Sequence, residues 1–152
     1  MSSQGDYAVY QNSLKPLGFY HDYNVEANTT FIIAAGSAGE IGFSEKKFWA
    51  ADDVYYLKTP EDFNNKFLYY YLLTKQNSIV GKVRRASVPR LSRLSFENIK
   101  IPVPPIEEQN RIVEVLDKFD TLTTSISEGL PKEIALRQKQ YEHYRDQLLN
   151  FQ

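Results

Sequence analysis

Apolar and polar positions follow two rhythms along this chain, and the rhythm changes at Pro102-Val103-Pro104-Pro105. Before that point, short runs of aromatic and β-branched residues alternate with turn residues. Tyr7 to Tyr10 reads as a short strand, and Asn12 to Gly18 as a loop turned by Pro16 and Gly18. Thr29 to Ala35 is an apolar run bounded by Asn28 and Gly36, which predicts a buried strand, and Gly36 to Gly39 turns the chain. Ile41 to Phe43 and Phe48 to Ala50 are short strands about a turn at Glu45-Lys46-Lys47, and Val54 to Lys58 is another, ended by Thr59-Pro60. Asp62 to Gln76 has helical spacing. It places Phe63, Phe67, Tyr70, Tyr71 and Leu73 near one side, and Thr59 or Glu61 can cap its start. Residues 81–93 show no period and read as a loop, and Leu94 to Ile101 predicts a helical turn followed by a strand.

After the prolines the rhythm is that of a helix. Ile112, Val115, Phe119, Leu122 and Ile126 recur at alternating intervals of three and four, an a/d seam. Gly129 and Pro131 interrupt it. Leu130, Ile134, Tyr141, Tyr144, Leu148 and Phe151 then resume the rhythm one residue out of phase, with Arg137 in one slot. Either one kinked helix of roughly 40 residues runs through, or two helices fold back as a hairpin at Glu128 to Pro131. Three closely spaced prolines fit neither a helix interior nor a central strand. The predicted division is therefore 1–105 and 106–152, and the predicted class is α+β: a small strand-rich domain followed by a long C-terminal helix, kinked or hairpin. A narrow apolar stripe suits another helix, so the spacing predicts an antiparallel coiled coil with a partner; packing of the helix back on its own domain is the alternative.

Charge sharpens the picture. Residues 1–105 carry 12 basic and 10 acidic side chains, and residues 106–152 carry 6 and 9, beneath a net charge of −1. No acid lies between Asp62 and Glu97, a stretch that holds Lys66, Lys75, Lys82, Arg84, Arg85, Arg90 and Arg93. Such a field favours a polyanion, most often a phosphate backbone; a basic loop neutralised by acids close in space is the plainer reading. Within residues 81–93, arginines mingle with small hydroxyls and a turn proline. Arginine can clamp phosphate or read guanine, and serine contacts phosphate. Gln11 and Asn12 are amides of the kind that read adenine.

Candidate catalysis finds little support. The absence of cysteine removes a disulfide scaffold, a Cys-ligated zinc site and a thiol nucleophile, and fits a reducing, cytoplasmic setting. His21 and His143 stand far apart, which argues against a His-based triad or a His-rich metal site. Asp52-Asp53 and Glu107-Glu108 are adjacent pairs whose side chains diverge on a regular element. Gly36-Ser37-Ala38-Gly39 lacks the Gly-Lys-Ser/Thr ending of a nucleotide loop. No apolar run approaches the roughly 20 residues that span a bilayer, and the start lacks the basic and apolar regions of a secretory signal. The expectation is a chain without catalytic or metal-ligating residues and without a membrane.

Ile99-Lys100-Ile101-Pro102-Val103-Pro104-Pro105-Ile106-Glu107-Glu108-Gln109-Asn110-Arg111-Ile112-Val113 resembles the IPxPPxxEQxxIV signature of specificity subunits of type I restriction-modification enzymes. Leu116 to Asp120 and Arg137 to Leu149 resemble the helical conserved region of that family, and Gly36 to Gly39 and Leu68 to Leu72 resemble weaker landmarks of its target-recognition domains. The resemblance covers nearly the whole chain. It implies a non-catalytic subunit that reads a split sequence in double-stranded DNA through two recognition domains separated by helices of fixed length. It implies partners too: modification subunits that methylate adenine, and motor–nuclease subunits that cleave. S-adenosylmethionine, ATP and Mg are expected on those partners and no cofactor on this chain. This sequence has one recognition domain and one helical region where a full subunit has two of each, and the recognition domain looks short at its front. It is expected to act as a half-subunit that homodimerises through the helices and reads an inverted repeat, or as a truncated fragment that serves assembly or regulation without reading DNA.

The residues expected at DNA are Arg84, Arg85, Arg90 and Arg93, with Lys82 and Ser87 on phosphate and Gln11 and Asn12 at bases. The residues expected at the helical interface are Ile112, Val115, Phe119, Leu122, Ile126, Ile134, Tyr141 and Leu148.

Overall fold

In a computed structural model, which describes residues 5–125 and 131–150, the first part forms six short strands and three helices, and the second part forms two longer helices. The strands are β1 (Tyr7–Tyr10), β2 (Gly18–Tyr20), β3 (Thr29–Ile33), β4 (Ile41–Ser44), β5 (Trp49–Ala50) and β6 (Val54–Leu57). The helices are α1 (Asn65–Thr74), α2 (Gln76–Val80), α3 (Leu94–Glu97), α4 (Ile106–Ser125) and α5 (Pro131–Leu149).

β3 is the structural centre. Its five residues are all buried, as the continuous apolar run predicts, and it pairs antiparallel with β4 on one side and β6 on the other. Its two faces serve two cores, because successive side chains alternate. Phe31 and Ile33 point into a cluster with Val25, Phe48, Ala50 and Val54, next to the second sheet, β2-β1-β5. Ile32 joins Ile41, Leu68, Leu72, Ile79 and Leu91 on the other side. In the second sheet β1 pairs antiparallel with β2 and parallel with β5, joining Val9 to Trp49.

α1 is apolar on nearly all sides, and a helix of that composition is covered on more than one face. Leu68 and Leu72 pack toward the sheet. Phe67 and Tyr70 pack the other way, with Ile112, Val113, Leu116, Tyr141 and Leu149 of α4 and α5. The layers therefore run sheet, α1, α4–α5. Phe119 stacks on Tyr144 at 5.3 Å, while Leu122 and Thr123 share a recess with Arg137 and Gln140. Later positions on α4 thus meet earlier positions on α5, so the two helices are an antiparallel pair, the hairpin alternative rather than one kinked rod.

Several expectations need correction. α1 begins at Asn65 and is capped by Asn64, whose side chain accepts from the Lys66 N–H at 3.0 Å. Of the expected cap residues, Thr59 precedes and Glu61 lies within a turn closed by the Phe63 N–H on the Pro60 carbonyl at 3.0 Å. β2 and α2 were not expected; three and five residues are too few to display a period. Leu94 starts the expected helical turn, but no strand follows within residues 98–101. Two of the expected partner-facing residues are enclosed by their own chain: Ile112 is 1% and Tyr141 8% exposed, because the aromatic side of α1 takes the first half of the seam. Leu148 is half-buried against that same core. Phe119 is half-buried on Tyr144, Val115 is half-buried, and Leu122 is 54% exposed. Ile126 and the side chain of Ile134 lie outside the described residues.

Candidate nucleic-acid interface

Three loops far apart in sequence are joined at one end of the sheets. The first follows β1 and carries Gln11 and Asn12. The second is the turn after β3. The third runs from Lys82 to Arg93. Gly36 stands at the junction with φ +83°, a left-handed conformation that favours glycine. A Cβ there would sit 2.8 Å from the Asn12 carbonyl oxygen. Close approach lets the Ser37 N–H donate to that carbonyl at 2.9 Å and the Gly36 N–H donate to the Pro89 carbonyl at 3.1 Å. The glycine turn is thus a fastening for neighbouring loops.

The basic loop is closed on itself and tied down. Arg84 and Arg90 exchange backbone hydrogen bonds of 2.7 and 3.1 Å, a small two-residue ladder. The Leu91 N–H donates to the Ala34 carbonyl at 2.7 Å, and the Leu91 side chain, 2% exposed, anchors the loop in the core. The tip is free of the core: Arg84, Arg85, Ala86, Ser87, Val88 and Arg90 are all exposed. Arg84, Ala86, Ser87, Val88 and Arg90 line a shallow recess there. Such a rigid base with an exposed cationic tip suits contact with a charged polymer.

Asp53, just before β6, organises the surface. Its carboxylate accepts from Asn12 Nδ2 at 3.2 Å and faces the Arg90 guanidinium at 4.0 Å. Sequence reasoning passed over this residue, having seen only an adjacent acidic pair; the bond to Asn12 spans 41 positions, and no local pattern reports it.

The basic residues of that stretch divide in space. Arg84 and Arg85 form no ion pair among the described residues. Arg90 is partly offset by Asp53, and Arg93 pairs with Glu97 at 3.3 Å. Arg93 borders a groove with Tyr55 and Phe96, and the Lys82 ammonium donates to the Ser95 carbonyl at 3.1 Å. Lys66 belongs elsewhere: it meets Asp117 at 2.9 Å and Glu45 at 3.5 Å. Burial alone would lower its pKa; the hydrogen bond and charge of Asp117, helped by Glu45, outweigh it, and the pKa is raised. Gln11 is half-buried next to Asn12. The structure therefore brings Asn12, Arg84, Ser87 and Arg90 into one surface and directs Lys66 to the helices.

Among the described residues, no group of three or more His, Asp or Glu is placed to hold a metal ion, and no helix is long and apolar enough to cross a membrane.

Comparison with known proteins gives one consistent result. Residues 2–136 match the family model described as type I restriction modification DNA specificity domain. The chain is 51% identical over 88 residues to a type I restriction enzyme specificity subunit of Escherichia coli, covering 57% of this chain and 22% of that protein. It is 40% identical over 124 residues to a putative specificity subunit of Haemophilus influenzae, covering 79% of this chain and 31% of that protein. A putative type I specificity subunit of Mycoplasma pneumoniae is 28% identical over 153 residues, 97% of this chain and 49% of that one. The chain thus spans about a fifth to a half of these relatives' length. A crystal structure of a type I restriction-modification S subunit from M. genitalium has the same fold, with a TM-score of 0.68 at 23% identity over 84% of this chain and 35% of that one.

Proposed function

We propose, from the premise that this chain belongs to the family of type I restriction modification DNA specificity domains, that it recognises a DNA half-site for a restriction-modification complex. Residues 1–105 would form the reading head and residues 106–152 the helical spacer. The tip at Arg84, Arg85, Ser87 and Arg90 would meet the backbone and the bases, Asn12 would read from the neighbouring loop, and Lys82, Arg93 and Gln11 would flank them. The chain itself would perform no chemistry. Modification subunits carrying S-adenosylmethionine would methylate adenine, and motor–nuclease subunits using ATP and Mg would cleave, all in the cytoplasm.

The observation that carries this reading is the convergence of three loops on an exposed surface where Arg84 and Arg85 lack acidic partners among the described residues. A second copy of the chain would supply the other half-site, docking on the helix pair, where Leu136 (57%) and Tyr144 (45%) are exposed. Seam residues Val115 and Phe119, half-buried on α4, would border that surface.

Selection from a random duplex pool, with the cognate modification subunit and at fixed salt, tests the proposal. Recovery of an inverted repeat with one spacing is expected. Recovery of no motif while the modification subunit stays bound would sink it and leave an assembly module. Arg84→Glu with Arg85→Glu is expected to abolish DNA binding and leave assembly intact. In the milder Arg84→Ala with Arg85→Ala, the log–log salt slope should fall by about one for each phosphate no longer neutralised. An unchanged slope would remove these two residues from the interface.

A further inference from the structure

Asn64, Asn65 and Lys66 are consecutive, and each fastens a different part of the molecule. The Asn64 N–H donates to Gln109 Oε1 at 2.8 Å, and Asn64 Nδ2 donates to Asn110 Oδ1 at 2.9 Å, both on α4. Asn65 turns to the sheet. Its Oδ1 accepts from the Thr30 N–H and hydroxyl, each at 2.7 Å, and its Nδ2 donates to the Leu57 carbonyl at 2.8 Å. Lys66 returns to α4 through Asp117 at 2.9 Å, where Tyr70 also donates a short hydrogen bond to the same carboxylate oxygen.

Gln109 is almost wholly enclosed, at 1% exposure. Both ends of its amide are used, since Nε2 also donates to the Pro104 carbonyl at 2.8 Å. It ties the proline connector, the start of α4 and the start of α1 into one arrangement. Asp117 lies eight positions further along α4, about 12 Å away. Two attachments so separated fix a direction as well as a position. A buried amide bonded at both ends selects one geometry where an apolar side chain would tolerate several. From Thr30 the connection runs along β3 to Ala34 and Gly36, which hold Leu91 and Pro89 of the basic loop.

We propose that Gln109 is a positioning residue that sets the angle between the recognition head and the helical spacer, with Asp117 as its second anchor, and so restricts an assembly to one separation between half-sites. This rests on the DNA-reading role proposed above for its consequence at DNA, though not for the joint itself.

The chain lacks cysteine, so paired nitroxide labels can be placed cleanly at Ala86→Cys and Lys139→Cys, both exposed. Labelled protein diluted into unlabelled chain reports the distance within one molecule. The parent is expected to show one narrow distribution. In Gln109→Met it should be about twofold broader, because a site without its supporting bonds loosens by about 1 Å. Asp117→Leu, at a half-exposed position, should broaden it as well and serves if Gln109→Met loses its helical circular dichroism. In duplex selection, Gln109→Met should keep the half-site letters and accept several spacings. Parental widths in the folded variants, or a single parental spacing, would overturn the proposal. Broadened widths in a chain whose parent selects no motif would refute the DNA role and leave the joint standing.

Discussion

At Asp53, a single carboxylate meets both an amide and a guanidinium of the candidate surface. Asn12 donates to one oxygen, and Arg90 faces the other. Removal of that charge should strengthen attraction to any duplex and weaken discrimination among duplexes, since Asn12 and Arg90 lose their fixed directions. Asp53→Ala is expected to reduce the preference for a selected site over a scrambled one about tenfold, the size of one base contact. Competition binding at fixed salt measures it, and an unchanged ratio would show that the two side chains position themselves. A second residue-scale prediction concerns alkali. Burial first, and then the hydrogen bond to Asp117, push the Tyr70 hydroxyl far above its ordinary pKa of 10.0, and the Lys66 pKa is also raised. Both folded-state values exceed the unfolded ones, so each contribution to stability is complete below about pH 10 and is lost as pH rises through the folded value. The melting temperature of the parent should fall above about pH 10. Tyr70→Phe should flatten that fall, and an equally steep fall would sever Tyr70 from it. Residue types were legible in the sequence and their partners were not. The basic run was evident, yet Lys66 and Arg90 meet acids that only the fold brings near.

At the scale of elements, α1 carries the most packing, with cover on two sides. Truncation of Phe67, 0% exposed between α1 and the helix pair, should cost about 3–5 kcal/mol in urea unfolding. Loss of the cap through Asn64→Ala should cost about 1 kcal/mol. A Phe67→Ala cost as small as that of the cap would mean that the helix pair closes over the gap. The strands were legible where a run or an alternation was long enough, as at Thr29–Ile33 and Val54–Leu57. β2 and α2 were not, because their form is imposed by neighbours: β2 by its ladder to β1, and α2 by Ile79 in the core under β3. The helical seam was legible as a period, but a period does not name what covers it. Half of the answer proved to be α1.

For the whole molecule, the proline connector marks a change in sequence character while the core continues past it. Phe67 and Tyr70 on one side share a cluster with Ile112, Leu116 and Tyr141 on the other. Residues 1–105 alone should therefore expose the aromatic face of α1 and melt without the cooperative transition of the full chain. A sharp, fully reversible melt of that piece would show that the helices are dispensable to the head.

The basic loop ends in a tip that touches little, above a base fixed by Leu91, Gly36 and the Arg84–Arg90 ladder. Side chains from residues 85–88 can therefore change at little cost to folding, typically within about 0.5 kcal/mol each. Variation in sequence can accumulate at the tip while the platform stays as it is. That arrangement separates the freedom to vary from the obligation to fold.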